Sequence, residues 1–333
     1  MPAILETKSL TKRYGKLTAV ADLSLEVEQG AIYGFVGPNG AGKTTTMRML
    51  TTLLQPTSGE AWVAGHSITR NPRGVRRVIG YMPDFFGVYD DMKVWEYLDF
   101  FAACYEIPEA QRAGLIGDLL ELVDLSHRRD DQVDTLSRGM KQRLCLARTL
   151  AHDPQVLILD EPASGLDPRA RIEIRELLLE LSRLGKTIFF STHILADVAE
   201  ICTQVGIVEA GRLVAQGGLA DMQRRLMPHR RLRLTLLGQV EAAQEALLGR
   251  EGVLEVRWHG DASLRWHGDA SATPGADQNG SHPVLEVAFT GDDEAVSALL
   301  AHLVSRDIPV LHFTESLHDV EDVFMQVTKG IVS

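Results

Sequence analysis

The sequence predicts an α/β fold, with a core of parallel strands and helices followed by a smaller α+β unit. Three observations carry this. Gly37-Pro38-Asn39-Gly40-Ala41-Gly42-Lys43-Thr44-Thr45 fits the pattern G-x-x-x-x-G-K-[ST], set between an apolar strand and a helix. The all-apolar runs Val156-Leu157-Ile158-Leu159 and Thr187-Ile188-Phe189-Phe190 flank a helical stretch from Arg169 to Leu184, making a βαβ unit of buried parallel strands. After Gly217-Gly218 the pattern changes to β-α-β-β-α-β, the order of a ferredoxin-like domain.

Bulk properties narrow the classes further. A chain of 333 residues is long enough for about two domains. A net charge of -11 disfavours a nucleic-acid surface, which needs a basic stripe, so no nucleic-acid partner is expected. No apolar run approaches the roughly 18 residues of a membrane span, and no signal-peptide core is seen at the N-terminus. Any membrane role is therefore expected to be peripheral. Cys104, Cys145 and Cys202 form no CxxC pair, which suggests reduced thiols in a cytosolic setting, with Cys145 in core packing.

Along the chain, Ile4 to Thr7 and Leu23 to Val27 alternate as half-buried strands do, with a turn at Tyr14-Gly15-Lys16. Ala31 to Val36 reads as the strand entering the glycine-rich loop, and Thr44 to Leu54 as the helix leaving it. The glycines let successive N–H groups converge on one anion, and the helix N-terminus adds partial positive charge. Lys43 is suited to the β- and γ-phosphates and the Thr44 hydroxyl to Mg²⁺. Pro56 to Gly59 breaks the chain; Glu60 to Ala64 and Val78 to Tyr81 read as short strands. From Val94 to about Leu150 apolar residues recur at helical spacing.

Beyond the core, strands are expected at Arg231–Leu237, Val253–Trp258, Val284–Phe289 and Ile308–Phe313, with helices at Val240–Leu248, Asp292–Val304 and about Leu317–Thr328. Inside this unit Arg257 to Ser263 recurs as Arg265 to Ser271. A small tandem duplication in a hairpin loop is the plain reading. A metal site using His259, His267 and His282 with Asp261 or Asp269 is the sharper one, although loop histidines are usually just solvated.

Further motifs narrow the chemistry. The run from Val156 ends in Asp160-Glu161: Asp160 at the strand tip suits Mg²⁺, and Glu161 beside it suits a general base for an attacking water. Leu136-Ser137-Arg138-Gly139-Met140 precedes a helical pattern; Ser137 suits both a helix cap and a γ-phosphate ligand. Ser164-Gly165-Leu166-Asp167 follows the carboxylates, and Ser191-Thr192-His193 ends the next strand.

With these motifs in this order, the chain resembles the nucleotide-binding subunit of ATP-binding cassette (ABC) transporters over about residues 4 to 217. The resemblance implies a P-loop NTPase with a RecA-like core, an antiparallel β subdomain and a helical subdomain at about 85–150, within a domain at 1–220. An accessory domain would occupy 221–333, with an inserted loop at about 259–283. Gly37 to Thr45 is similar to Walker A, Leu136 to Met140 to the signature motif and Leu157 to Glu161 to Walker B with its catalytic glutamate. Ser164 to Asp167 is similar to the D-loop, His193 to the switch histidine and Tyr14 to the aromatic that stacks on adenine. The mechanism so implied uses ATP and Mg²⁺. Two cassettes, expected to be identical, pack head to tail with each ATP between one copy's Walker A loop and the other's signature helix. Closure drives separate membrane-spanning permease subunits from the cytoplasmic face of the cell membrane.

Two positions depart from the family pattern. Asp84 stands where a glutamine is usual and is expected to contact the Mg²⁺ shell, through water or directly. Arg138 replaces the first signature glycine and Met140 the final glutamine, while Ser137 and Gly139 remain. Phe85-Phe86-Gly87-Val88-Tyr89 reads either as buried packing or as a groove for a partner helix. The C-terminal part resembles the extension of ABC-2 type exporters, with Val320 to Phe324 as a loose match to their closing motif. The competing readings are a soluble ABC-type ATPase acting on ribosomes or DNA, and a non-hydrolysing ATP-dependent switch.

Overall fold

The structure is a computed structural model describing residues 2–84, 87, 91–219, 221–222, 229–259, 282–316, 324 and 328. These fall into two compact units, one running through Met222 and including Phe324 and Thr328, the other formed by residues 229–316.

In the first unit, β1 (Ala3–Tyr14) and β2 (Leu17–Glu28) form a long hairpin with Tyr14 opposite Leu17. Gly15 supplies the left-handed turn between them at φ 58°. The alternation legible at Ile4–Thr7 stops at the next residues because the β1–β2 register shifts between Thr7 and Leu10. A second sheet forms from β3 (Ile32–Val36), followed later in the chain by β4 (Ser58–Val63) and β5 (His66–Ser67), which join β1 and β2 instead. Strands β6 (Ile79–Met82), β7 (Val156–Asp160), β8 (Thr187–Thr192), β9 (Gln204–Glu209) and β10 (Arg212–Gly218) join β3 in the order β10-β9-β3-β8-β7-β6. All neighbours in this sheet are parallel except the β9–β10 pair at its edge.

Both faces of β7 are buried. Val156 and Ile158 pack with Tyr33, Phe35 and Phe189 toward helix α1 (Lys43–Leu50) and the antiparallel sheet. Leu157 and Leu159 pack on the other side with helices α5 (Arg138–Leu150) and α6 (Pro168–Arg183). This is why the strand reads as a continuous apolar run. The remaining helices of the unit are α2 (Pro72–Val78), α3 (Val94–Cys104), α4 (Glu109–Leu122) and α7 (Leu195–Ile201). Cys145 is 1% exposed in the core, and burial pushes its thiol up to about 11.

The structure corrects several expected bounds. Helix α1 ends at Leu50 rather than Leu54, because Thr52 turns left-handed at φ 64° and the Thr51 hydroxyl donates back to Met47 O. The single helical stretch from Val94 to Leu150 is three helices, broken around Pro108 and again between Leu122 and Ser137. Among the described residues no helix is long and apolar enough to cross a membrane.

The second unit runs β11 (Arg230–Leu236), α8 (Val240–Leu247), β12 (Val253–His259), β13 (Val284–Phe289), α9 (Asp293–Ser305) and β14 (Val310–Ser316). The antiparallel order β12-β13-β11-β14 is that of a split-βαβ, ferredoxin-like sheet. Its core sets Leu232, Leu234, Leu285 and Val287 against Ala243, Leu247, Leu299 and Leu303. The last strand starts at Val310 instead of Ile308, since the Ile308 N–H is spent closing α9 on Leu303 O. The second repeat copy, the loop metal site apart from His282 and the His259 backbone, the Phe85–Tyr89 stretch apart from Gly87, and most of 317–328 lie outside the described residues.

Candidate nucleotide site

The carboxyl ends of parallel strands gather the site, as the topology of open α/β sheets dictates. The glycine-rich loop leaves β3, Asp160-Glu161 ends β7, His193 follows β8, and Asp84 follows β6. Register fixes their heights: Val36 pairs with Thr192, Asp160 with Ser191 and Met82 with Leu159. Asn39, Gly40, Gly42, Lys43, Thr44 and Thr45 from the loop line one cleft of about 480 Å³, together with Asp84, Glu161 and His193. Tyr14, Leu17 and Ala19 of the hairpin form another wall, and Ser164 also lines it. Tyr14 is 48% exposed, and the Lys12 ammonium lies 5.4 Å from its ring centroid.

The loop is wedged between the two sheets. A Cβ at Gly37 would meet Val208 O at 2.2 Å, and one at Gly42 would meet Ala19 O at 2.4 Å. Ala41 is 2% exposed, and its carbonyl accepts from Gly211 N at 3.1 Å. The Lys43 ammonium donates to Gly37 O at 2.7 Å and Pro38 O at 3.2 Å, and lies 3.4 Å from Glu161 Oε1.

Glu161 is held on both sides. Its Oε2 meets His193 Nδ1 at 2.9 Å while its Oε1 faces Lys43. Its backbone is left-handed, φ 51°, a conformation costing a side-chain-bearing residue about 1–2 kcal/mol. That kink turns the carboxylate out of the sheet and into the cleft. Ser191 Oγ stabilises it by accepting the Glu161 N–H at 2.9 Å while donating to Asp160 Oδ1 at 2.6 Å. Asp160 is 1% exposed, and its Oδ2 has no hydrogen-bond partner. A buried carboxylate oxygen without a donor is a costly arrangement and a ready cation ligand. Burial, with the charges of Asp160 and Asp84, pushes the neighbouring Tyr81 hydroxyl up to about 12, so it stays neutral beside the carboxylates.

Ser137, Arg138, Gly139, Met140 and Asp167 do not line this cleft. Ser137 caps α5 by accepting Met140 N at 3.3 Å, and Asp167 caps α6 by accepting Ala170 N at 2.9 Å. Gly139 packs tightly on α6, where a Cβ would meet Ala170 Cβ at 2.9 Å. Two supporting residues carry little signal in the sequence. Ser191 was visible only as a neighbour of His193. Gln142, 3% exposed, donates to Pro162 O at 2.6 Å; a lone glutamine in a helical pattern carries no signal for this.

Residues 20–164 match the family model described as ABC transporter. The chain is 42% identical over 217 residues to a Nod factor export ATP-binding protein I of Cupriavidus metallidurans, covering 65% of this chain and 72% of that protein. The chain belongs to the ABC transporter ATP-binding family. Over nearly its whole length it also aligns with the linearmycin resistance ATP-binding protein of Bacillus subtilis, 29% identical across 98% of both chains. Among solved structures it is similar to the ATP-binding subunit of an ABC transporter, with 32% identity and a TM-score of 0.61, covering 67% of this chain and 92% of that one. As a member of this ABC family, the chain is a P-loop ATPase that binds and hydrolyses ATP.

Proposed function

We propose that two identical copies of this chain close head to tail around ATP and Mg²⁺ and so drive separate membrane-spanning subunits of an exporter, from the cytoplasmic face of the cell membrane. One observation carries the reading. A single cleft gathers the glycine-rich loop, Glu161 and His193, while the capped N-terminus of α5 lies outside it, which supports a role for that N-terminus at a second copy's nucleotide. The export and resistance functions named for the relatives support the exporter class. Residues 1–220 would form the motor domain and 221–333 an accessory domain.

In this reading the loop N–H groups of Gly40, Ala41 and Gly42, with Lys43, Thr44 and Thr45, cradle the phosphates, and Tyr14 stacks on the base. Gly37, Pro38 and Asn39 shape the approach to that cradle. Glu161 accepts a proton from the attacking water, and His193, bonded to it, orients the carboxylate toward the γ-phosphate. Ser137 and Gly139 present the α5 N-terminus to the partner's γ-phosphate, flanked by Arg138 and Met140, and Asp167 anchors the loop that faces the same interface. Thr44 and Asp160 would hold Mg²⁺, which neutralises charge on the transferring phosphoryl group; the partnerless Asp160 Oδ2 fits an oxygen-seeking cation.

Asp84 lines the cleft, and we place it at the edge of the Mg²⁺ shell. Asp84→Asn is expected to raise the Mg²⁺ concentration giving half-maximal ATPase activity by several-fold. An unchanged Mg²⁺ dependence and rate removes Asp84 from the site. The transport reading is tested by affinity capture of the full chain from detergent-solubilised membranes. A permease recovered with it supports the proposal; recovery of ribosomes or DNA in its place favours the soluble alternative.

A further inference from the structure

Arg138 is the residue that departs most from the signature pattern, and the structure puts its side chain to a different use from phosphate binding. Its Nη2 donates to Ser164 O at 3.1 Å. A Cβ built on Gly165 would lie 2.5, 2.6 and 2.7 Å from Arg138 Nη2, Cζ and Nη1. Three nearly equal distances mean that the flat guanidinium lies face-on against the Gly165 Cα. Gly165 is left-handed, φ +68°, and only the absence of its side chain admits the arginine this closely.

The loop so gripped is the one that carries the candidate base. Ser164 N donates to Glu161 O at 3.1 Å, so Ser164 closes a turn on Glu161. Four residues beyond Arg138, on the same side of α5, the buried Gln142 holds Pro162 O at 2.6 Å. Residues 161–165 therefore hang from α5 at two points one helical turn apart.

We infer that Arg138 is a positioning residue for Glu161 of its own chain, coupling any displacement of the α5 N-terminus to the loop behind that carboxylate. This rests on the reading of Glu161 as the base. If the α5 N-terminus engages a second copy's nucleotide, Arg138 reports that engagement to the chain's own site. A planar, forked cation suits the task, since it stacks on Gly165 and donates to Ser164 together; an ammonium can do only one.

The test is steady-state ATPase kinetics on the full chain, with amide hydrogen exchange on the same samples. Arg138→Ala is expected to lower kcat about tenfold while the KM for ATP stays within about twofold, the pattern of a lost transition-state arrangement rather than lost binding. Exchange should quicken at 163–166 and stay unchanged in β7. Arg138→Lys should recover little of the kcat. Gly165→Ala, whose Cβ expels the guanidinium, should lower kcat by itself, and the double variant should lose less than the product of the single losses. A raised KM with kcat preserved would make Arg138 a nucleotide ligand and overturn the inference. So would unchanged exchange at 163–166, or full recovery by lysine. Glu161→Gln run beside these separates the two levels: if it turns over at the wild-type rate the base assignment fails, while the exchange comparison still decides whether Arg138 holds the loop.

Discussion

Glu161→Gln is expected to lower ATP turnover by a factor of about 10²–10⁴, the usual worth of a positioned general base. The substitution keeps the shape of the side chain and removes its charge. Lys43 keeps its two carbonyl acceptors, Gly37 O and Pro38 O, so the glycine-rich loop should hold its conformation. The kink at Glu161 is backbone, held by Ser191 Oγ and the Ser164 N–H, and neither contact uses the carboxylate. Binding should therefore survive while hydrolysis fails, and ATP-bound dimer should accumulate. Size-exclusion chromatography with light scattering, with and without ATP, measures this next to a phosphate-release assay. Turnover at the wild-type rate would remove Glu161 from the chemistry. A chain that stays monomeric at saturating ATP, even with its membrane partner present, would remove the composite site.

Gly42→Ala is expected to destabilise the chain by about 2–5 kcal/mol, summing the left-handed backbone penalty and the cost of overpacking. Gly42 stands at φ 96° as the N-cap of α1, and the new Cβ would meet Ala19 O at 2.4 Å and Val20 Cγ2 at 3.2 Å. Relieving that contact pushes the start of α1 away from β2, carrying Lys43 and Thr44 with it. ATP affinity should fall at least tenfold in any fraction that folds, since several N–H groups lose their common focus. Urea denaturation and nucleotide titration measure the two effects. Gly15→Ala is the control: its φ is also positive, 58°, but nothing lies within 4 Å of the new Cβ, so only the backbone penalty applies. Equal losses for the two variants would show that packing against β2 contributes nothing.

Legibility followed how local the physics is. The glycine-rich loop could be read because its chemistry sits in nine consecutive residues. Strands β7 and β8 could be read because burial on both faces leaves an unbroken apolar run. The long hairpin was legible only in pieces: alternation holds at Ile4–Thr7 and at Leu23–Val27, but Ser9 and Asp22 adopt positive φ where the register slips, and each break hides the rest of its strand. Helix α2 went unread despite a clear start signal, Asn71 accepting Gly74 N ahead of Pro72, because its Arg-rich body buries only Val75 and shows no apolar stripe.

The sequence by itself determined the family, the order of the motifs and the residues we propose for the nucleotide site, since these depend on residue type and short spacing. The tertiary structure alone decided that Glu161 sits between Lys43 and His193, that Ser191 joins Asp160 to Glu161, and that Arg138 grips the loop at Gly165. Those contacts join residues 27 to 118 positions apart, and chain separation carries no trace of them. Parallel strand register and the packing of α5 on the sheet bring them together.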